Sequence, residues 1–240
     1  MNDKAERIFT ELKNKFSMGI PAVDYHLHTN WTDGDHSVQE MYHQACKVGL
    51  KEILFSEHAR KTSGKWFANF IDEVRNLPQN QCRAYVGVEA RVVDYDGNIE
   101  IERNILSQCD LVIGSVHRFP GKDGEPSHFD GLLPNHVLEM EFRLAEVLLD
   151  NPEIDILGHP FGMLYSKFKI TPPETLVRTL MEKAGSKKIA FEINSKYHPD
   201  PWRYIRLCCE SSASISLGSD AHSMDEIGKI VTLLKARCME

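Results

Sequence analysis

The chain has 240 residues, 42% hydrophobic and 26% charged, with a formal net charge of −7. That balance fits a globular protein with one sizeable domain, and excludes wholesale disorder, a fibrous repeat and a small disulfide-stapled scaffold. The acidity argues against a surface that coats nucleic acid or an anionic membrane. No run of about 18 apolar residues is present, and the stretch MNDKAERIFTELKNKF is too charged for a signal peptide, so a soluble, cytoplasmic protein is expected.

In chain order, Ile8, Leu12 and Phe16 recur every four residues and mark one apolar face of a short helix over 3–16, which Ser17-Met18-Gly19-Ile20-Pro21 ends. From there β-rich runs alternate with helical patterns. The predicted strands are 22–27 (AVDYHL), 52–56 (EILFS), 84–89 (AYVGVE), 111–116 (LVIGSV), 155–159 (DILGH), 189–194 (IAFEIN) and 214–219 (SISLGS). Most carry little polar alternation, as strands covered on both faces do. Ser37-Val38-Gln39-Glu40 is a capping box opening a helix that stops near Gly49. Further helices are predicted over 66–77, 135–149, 174–184, 201–212 and 224–237. The turn-rich segment 119–131 (FPGKDGEPSHFDG) reads as a site loop. Repeated β-then-α units predict an α/β barrel or an open doubly wound sheet. The six cysteines form no C-x-x-C pair, and Cys208 and Cys209 are adjacent, so reduced thiols without a function are expected.

Six of the eleven histidines, with three carboxylates, fall at or just past the C-terminal ends of predicted strands. The first strand ends in His26-Leu27-His28, with Asp33 in the turn beyond; the second ends in Glu57-His58 and the third in Val88-Glu89. His117 and His159 close the fourth and fifth, and Asp220-Ala221-His222 closes the seventh. In a parallel barrel those ends converge on the face where active sites are built. Buried unpaired carboxylates are costly, and divalent cations compensate them. Nine nitrogen and oxygen donors exceed one tetrahedral zinc and match two or three Zn, Mn or Fe ions. Four cations stand near the same ends, Arg60, Arg91, Arg118 and Lys196, and could clamp a phosphate. His43 and His136 sit on helices and are expected to face solvent, whereas His36, His128 and His198 lie in loops where substrate contact is open.

The run DYHLHTNWTDG, then SEH, GVE, GSVH, GHP and SDAH in that order, resembles the PHP (polymerase and histidinol phosphatase) family over roughly residues 22–235. The resemblance implies one PHP domain over 1–240: a helical extension over 1–21 and a distorted (β/α)7 TIM-like barrel with its metal site at the C-terminal strand ends. It also implies a trinuclear centre that hydrolyses phosphate esters. Carried over by position, His26, His28, Glu89 and Asp220 would hold one metal. Glu89 would bridge to a second on His117 and His159, and Asp33, His58 and His222 would hold the third. Several histidinol-phosphatase-type members have a histidine six residues after the second His of H-x-H, where this chain has Gly34; Asp33, Asp35 and His36 are the nearby alternatives. The implied reaction is hydrolysis of a small phosphomonoester, histidinol phosphate first, by metal-activated hydroxide. Its phosphate would rest on the metals and on Arg60 or Arg118, and Asp33, Asp220, His198 and His222 are candidates for the leaving group's proton. Nucleotides and sugar phosphates are alternative substrates. An amidohydrolase-type metal barrel normally has eight strands against seven predicted here, and a non-catalytic accessory module is the remaining alternative.

Overall fold

In the computed structural model the helix and strand patterns close into a barrel. The structure describes residues 3–16, 19–121, 126–127 and 131–237; His128 and Cys238 lie outside them. The elements run α1 (Asp3–Phe16), β1 (Val23–Leu27), α2 (Val38–Lys47), β2 (Glu52–Glu57), α3 (Gly64–Arg75), β3 (Arg83–Arg91), α4 (Arg103–Leu106) and β4 (Leu111–Ser115). They continue with β5 (Phe119–Pro120), β6 (Pro126–Ser127), α5 (Pro134–Leu148), β7 (Ile156–Leu157), α6 (Gly162–Phe168) and α7 (Glu174–Lys187). The last are β8 (Ala190–Asn194), α8 (Pro201–Cys209), β9 (Ser214–Gly218) and α9 (Lys229–Arg237).

Seven strands form one parallel sheet in the order β1-β2-β3-β4-β7-β8-β9, and every residue of β1, β4 and β8 is buried. The short pair β5–β6 is antiparallel and separate. The sheet curls until its edges meet, since Leu27 pairs with Ala221 in parallel. At that seam the His28 N–H donates to the Ala221 carbonyl (2.9 Å) and the Ala221 N–H to that of His26 (3.2 Å). Buried Asp24 fastens the seam from β1, accepting from the Ser219 and Gly228 N–H groups at 2.8 Å each. The result is a distorted, nearly closed TIM-like barrel rather than an open sheet. Helix α1 joins the same core through Ile8, Phe9 and Leu12, with the Phe9 ring edge-on to Tyr25 at 6.2 Å. The capping box at Ser37 and Glu40 opens α2 as read from the sequence.

Two departures have local causes. The fifth predicted strand shortens to Ile156–Leu157 because the chain turns at once, with His159 (φ 25°) and Phe161 (φ 66°) left-handed. The helix expected over 224–237 splits into a 3-10 turn (Met224–Glu226) and α9, because Gly228 (φ 72°) gives its N–H to Asp24.

The short helix α6 has no side-chain cap of its own, and its first turn would leave N–H groups unsatisfied. Glu141 reaches over from α5 and accepts from Met163 and Leu164 N–H at 2.9 Å each. Burial pushes this carboxyl up to about 7, from an ordinary value of 4.5. The folded chain therefore holds a proton that the unfolded chain has lost, and stability falls as pH rises through that window. A shift of this size is worth about 3 kcal/mol. Glu141→Gln is expected to flatten the decline in unfolding free energy between pH 4.5 and 7 in urea titrations; an unchanged slope would show that Glu141 does not titrate there.

Candidate metal centre

Parallel pairing aligns the strand ends, so the side chains that close each strand point into one bowl. All nine donors read from the sequence arrive there, in four overlapping groups whose ligand atoms lie within 4.8 Å of one another. His26, His28 and Asp220 form one group, and His26, Glu89 and His159 a second. His58, Glu89 and His117 form a third, and His28, Asp33, His58 and His222 a fourth. His26, His28, His58 and Glu89 each belong to two of these groups.

Glu89 is the hub. Its Oε1 lies 2.7 Å from His159 Nε2 and 2.8 Å from His117 Nε2, and its Oε2 lies 3.3 Å from His58 Nδ1 and 3.4 Å from His26 Nε2. Burial would raise this carboxyl, but the His117 and His26 rings outweigh it and hold it well below the usual carboxylate range. Asp220 behaves alike: burial is opposed by His28 and His26, and the group is held low. Burial pushes His28 down to about 4, and its ring stacks between His58 (4.4 Å) and His222 (4.5 Å), with Nδ1 making no hydrogen bond and lying 4.0 Å from Asp33 Oδ1. Asp33 is 52% exposed, with Oδ2 3.3 Å from His58 Nε2 and Oδ1 3.6 Å from His222 Nε2.

The donor set fits cations. Ring nitrogens face each other at 3.1 Å (His26 and His28 Nε2) and 3.3 Å (His117 and His159 Nε2). His26 already directs Nδ1 at Glu192 Oε1 (2.8 Å), so a neutral His26 has a lone pair, not a proton, on Nε2. Where both nitrogens of such a pair are bare, their lone pairs repel beside ionised carboxylates in a dry site and become ligands once a cation lies among them.

The turn after β1 accounts for Gly34. A Cβ there would lie 2.6 Å from the His28 carbonyl oxygen, so no larger side chain fits, and Asp33 occupies the bowl instead. Buried Glu57 pins this turn by accepting from the Thr29 N–H (2.8 Å), the Thr29 hydroxyl (2.7 Å) and the Thr32 hydroxyl. Asp35 and His36 enter none of the four groups.

A cavity of about 180 Å³ opens beside Glu89, walled by Arg60, Arg91 and Arg118 among others. The Arg91 guanidinium is held by Glu100. Lys196 lies off this wall, its Nζ 3.0 Å from Asp220 Oδ2, which also accepts from the Tyr197 hydroxyl at 3.0 Å. His198 is buried and committed to backbone: Nδ1 accepts from the Asn194 N–H and Nε2 meets the Pro160 carbonyl, both at 3.0 Å, and burial pushes it down to about 4. Both of its polar atoms are spent, which departs from the proton-transfer role expected of it. His43 and His136 are exposed on α2 and α5.

Sequence reasoning missed Glu192. Its Oε1 receives His26 Nδ1, its Oε2 receives the His159 N–H at 2.5 Å, and Asn194 braces it at 2.9 Å. A Glu among apolar residues at a strand end, the pattern that singled out Glu89, is also present in IAFEIN. Tyr197 carried no such signal.

A TIM-like barrel with imidazoles and carboxylates gathered at its strand ends is the class defined by fold and site together. The PHP domain model matches residues 24–196, and the chain belongs to that family. The match stops before Asp220 and His222, which reach the bowl from beyond β9. A "Probable phosphatase" of Caldicellulosiruptor bescii is 29% identical over 90% of this chain and 86% of its own length. Among solved structures, a candidate histidinol phosphatase of Listeria monocytogenes superposes with TM-score 0.69 at 15% identity, covering 88% of this chain and 99% of that one. The histidinol phosphate phosphatase of Lactococcus lactis, solved with zinc, L-histidinol and phosphate, superposes with TM-score 0.66 at 18% identity, covering 89% and 92%. These two structures share the fold.

Gly218 on β9 leaves the room that Glu192 uses, since a Cβ there would lie 2.0 Å from Glu192 Oε1 and 2.8 Å from His26 Cβ. Gly218→Ala is expected to cost about 1–3 kcal/mol by chemical denaturation. A variant as stable as the wild type would show that the carboxylate has other room.

Proposed function

We propose that this chain is a metal-dependent phosphoesterase acting on a small phosphomonoester. The observation that carries the reading is the convergence of nine imidazole and carboxylate donors beside a cavity that four of them line, with arginines in its wall. Membership of the PHP family, the phosphatase name of the Caldicellulosiruptor relative and the zinc and phosphate of the Lactococcus structure support it.

His26, His28, Glu89 and Asp220 would hold one divalent ion, Glu89 with His117 and His159 a second, and Asp33, His58 and His222 a third; Zn, Mn and Fe all suit such donors. Ions so held supply positive charge to the phosphoryl oxygens and acidify the attacking water. The protein's own groups do the rest. Glu192 keeps the His26 lone pair aimed inward by taking up Nδ1. Partial burial would raise Asp33, but His222 and His58 outweigh it and keep it ionised, so it accepts from the attacking water and orients it. Lys196 and Tyr197 fix one oxygen of Asp220, leaving the other toward His26 and His28. His222 meets the Asp220 carbonyl through Nδ1 and so presents Nε2 as a donor atom rather than an acid. His198 supports the turn after β7. Arg60 and Arg118 face the cavity, and a guanidinium there counters the charge that builds on the phosphoryl oxygens.

Glu89→Gln removes one charge from the hub at nearly constant shape. It is expected to lower the bound metal, measured by atomic emission, and to cut kcat/KM on p-nitrophenyl phosphate by about a hundredfold or more. Unchanged metal content with full activity would refute the assignment. Metal-loaded wild type that releases phosphate from neither p-nitrophenyl phosphate nor a panel of physiological monoesters, histidinol phosphate included, would favour the accessory reading.

A further inference from the structure

We infer that the substrate carries a second anionic group besides the phosphate under attack, as a bisphosphate or a phosphorylated carboxylic acid does. This rests on the phosphoesterase reading above and concerns what the cavity does with the rest of the substrate.

Of the nine described residues lining the cavity, Ala59 alone is apolar, so these residues offer no apolar wall to an aromatic or aliphatic leaving group. Its carboxylates are already engaged. Asp33 and Glu89 face imidazoles at 2.7–3.3 Å, and Glu100 is held by Arg91. Among the described lining residues none is left for an ammonium or imidazolium group.

The cations divide differently. Arg91 is neutralised by Glu100 and Lys196 by Asp220. Among the described residues the Arg60 and Arg118 side chains have no hydrogen bond or ion pair, and both line the cavity. Arg60 follows β2 and Arg118 follows β4, so they flank the end of β3 from either side. One guanidinium fork spans two of the three non-bridging oxygens of a phosphate. With the third oxygen turned toward the donor cluster, one fork serves the reacting phosphate, and the second stands across the end of β3 from it. The other arginine is matched by another anion. A cationic leaving group meets that second, uncompensated guanidinium instead, an arrangement that rejects it. On this argument histidinol phosphate, with its ammonium group, falls at the disfavoured end of the substrate range.

The test compares three monoesters of similar size on metal-loaded wild type: 3-phosphoglycerate, glycerol 3-phosphate and O-phosphoethanolamine, with histidinol phosphate alongside. Expected kcat/KM falls in that order, by about tenfold per unit of charge, as Coulomb interaction across several ångströms at intermediate dielectric gives. Arg60→Ala or Arg118→Ala should pull the ratio of 3-phosphoglycerate to glycerol 3-phosphate toward one. Equal or better turnover of the neutral or ammonium-bearing esters by the wild type overturns the inference and leaves the phosphoesterase reading standing. Phosphate release from none of the esters overturns that reading, and the inference with it.

Discussion

The structure is organised around the ionised carboxylate of Glu89, 2% exposed at the end of β3. A lone carboxylate taken out of water normally neutralises itself by binding a proton. Glu89 does the reverse, because imidazoles from β1, β2, β4 and β7 surround it and hold it below the usual range. The rings have the complementary difficulty: brought within 3.1–3.3 Å of each other, their nitrogens cannot all carry protons or all remain bare. Cations lying among the donors would resolve both at once. The ligand set and the electrostatic strain are thus the same arrangement.

That arrangement persists only because the framework holds it. The β9–β1 seam carries backbone bonds at His26, His28 and Ala221 with Asp24 beneath, and it brings the two ends of the chain's ligand set together. Glu192 ties β1 to the turn after β7 by holding His26 and the His159 backbone with one carboxylate. His159 and Asp220 take left-handed backbone conformations (φ 25° and 51°), which side chains other than glycine adopt at a cost. Such conformations persist where the surroundings over-determine them, and here two donor residues are so held.

Much of this was legible in the sequence, for a physical reason. Parallel strands buried on both faces read as apolar runs, so all seven were visible, and histidines interrupting such runs at their ends had few roles besides ligation. The barrel itself was less legible, since closure depends on Asp24 and on a break at Gly228 that look like ordinary residues in a strand and a helix. Helix α6 was missed because its cap comes from Glu141, about one helix away in sequence. Glu192 was missed because a carboxylate that grips a ligand ring carries the same local signature as one facing solvent. Arg60, Arg91 and Arg118 looked equivalent in sequence; the Arg91–Glu100 pair separates one of them from the other two.

The bowl is asymmetric, and this decides how an acidic protein can favour an anion. Donor residues come from β1, β2, β3, β4 and the turns after β7 and β9, all around the barrel mouth. The two unpaired guanidinia of the cleft, Arg60 and Arg118, stand on its β2–β4 side. The net charge of −7 is spread over the whole surface, and its field is screened within about 8–10 Å at physiological salt. Inside a cleft the nearest charges govern instead. Two free arginines beside a cation-seeking donor cluster give that cleft a positive wall, and the acidity of the rest of the chain hardly reaches it.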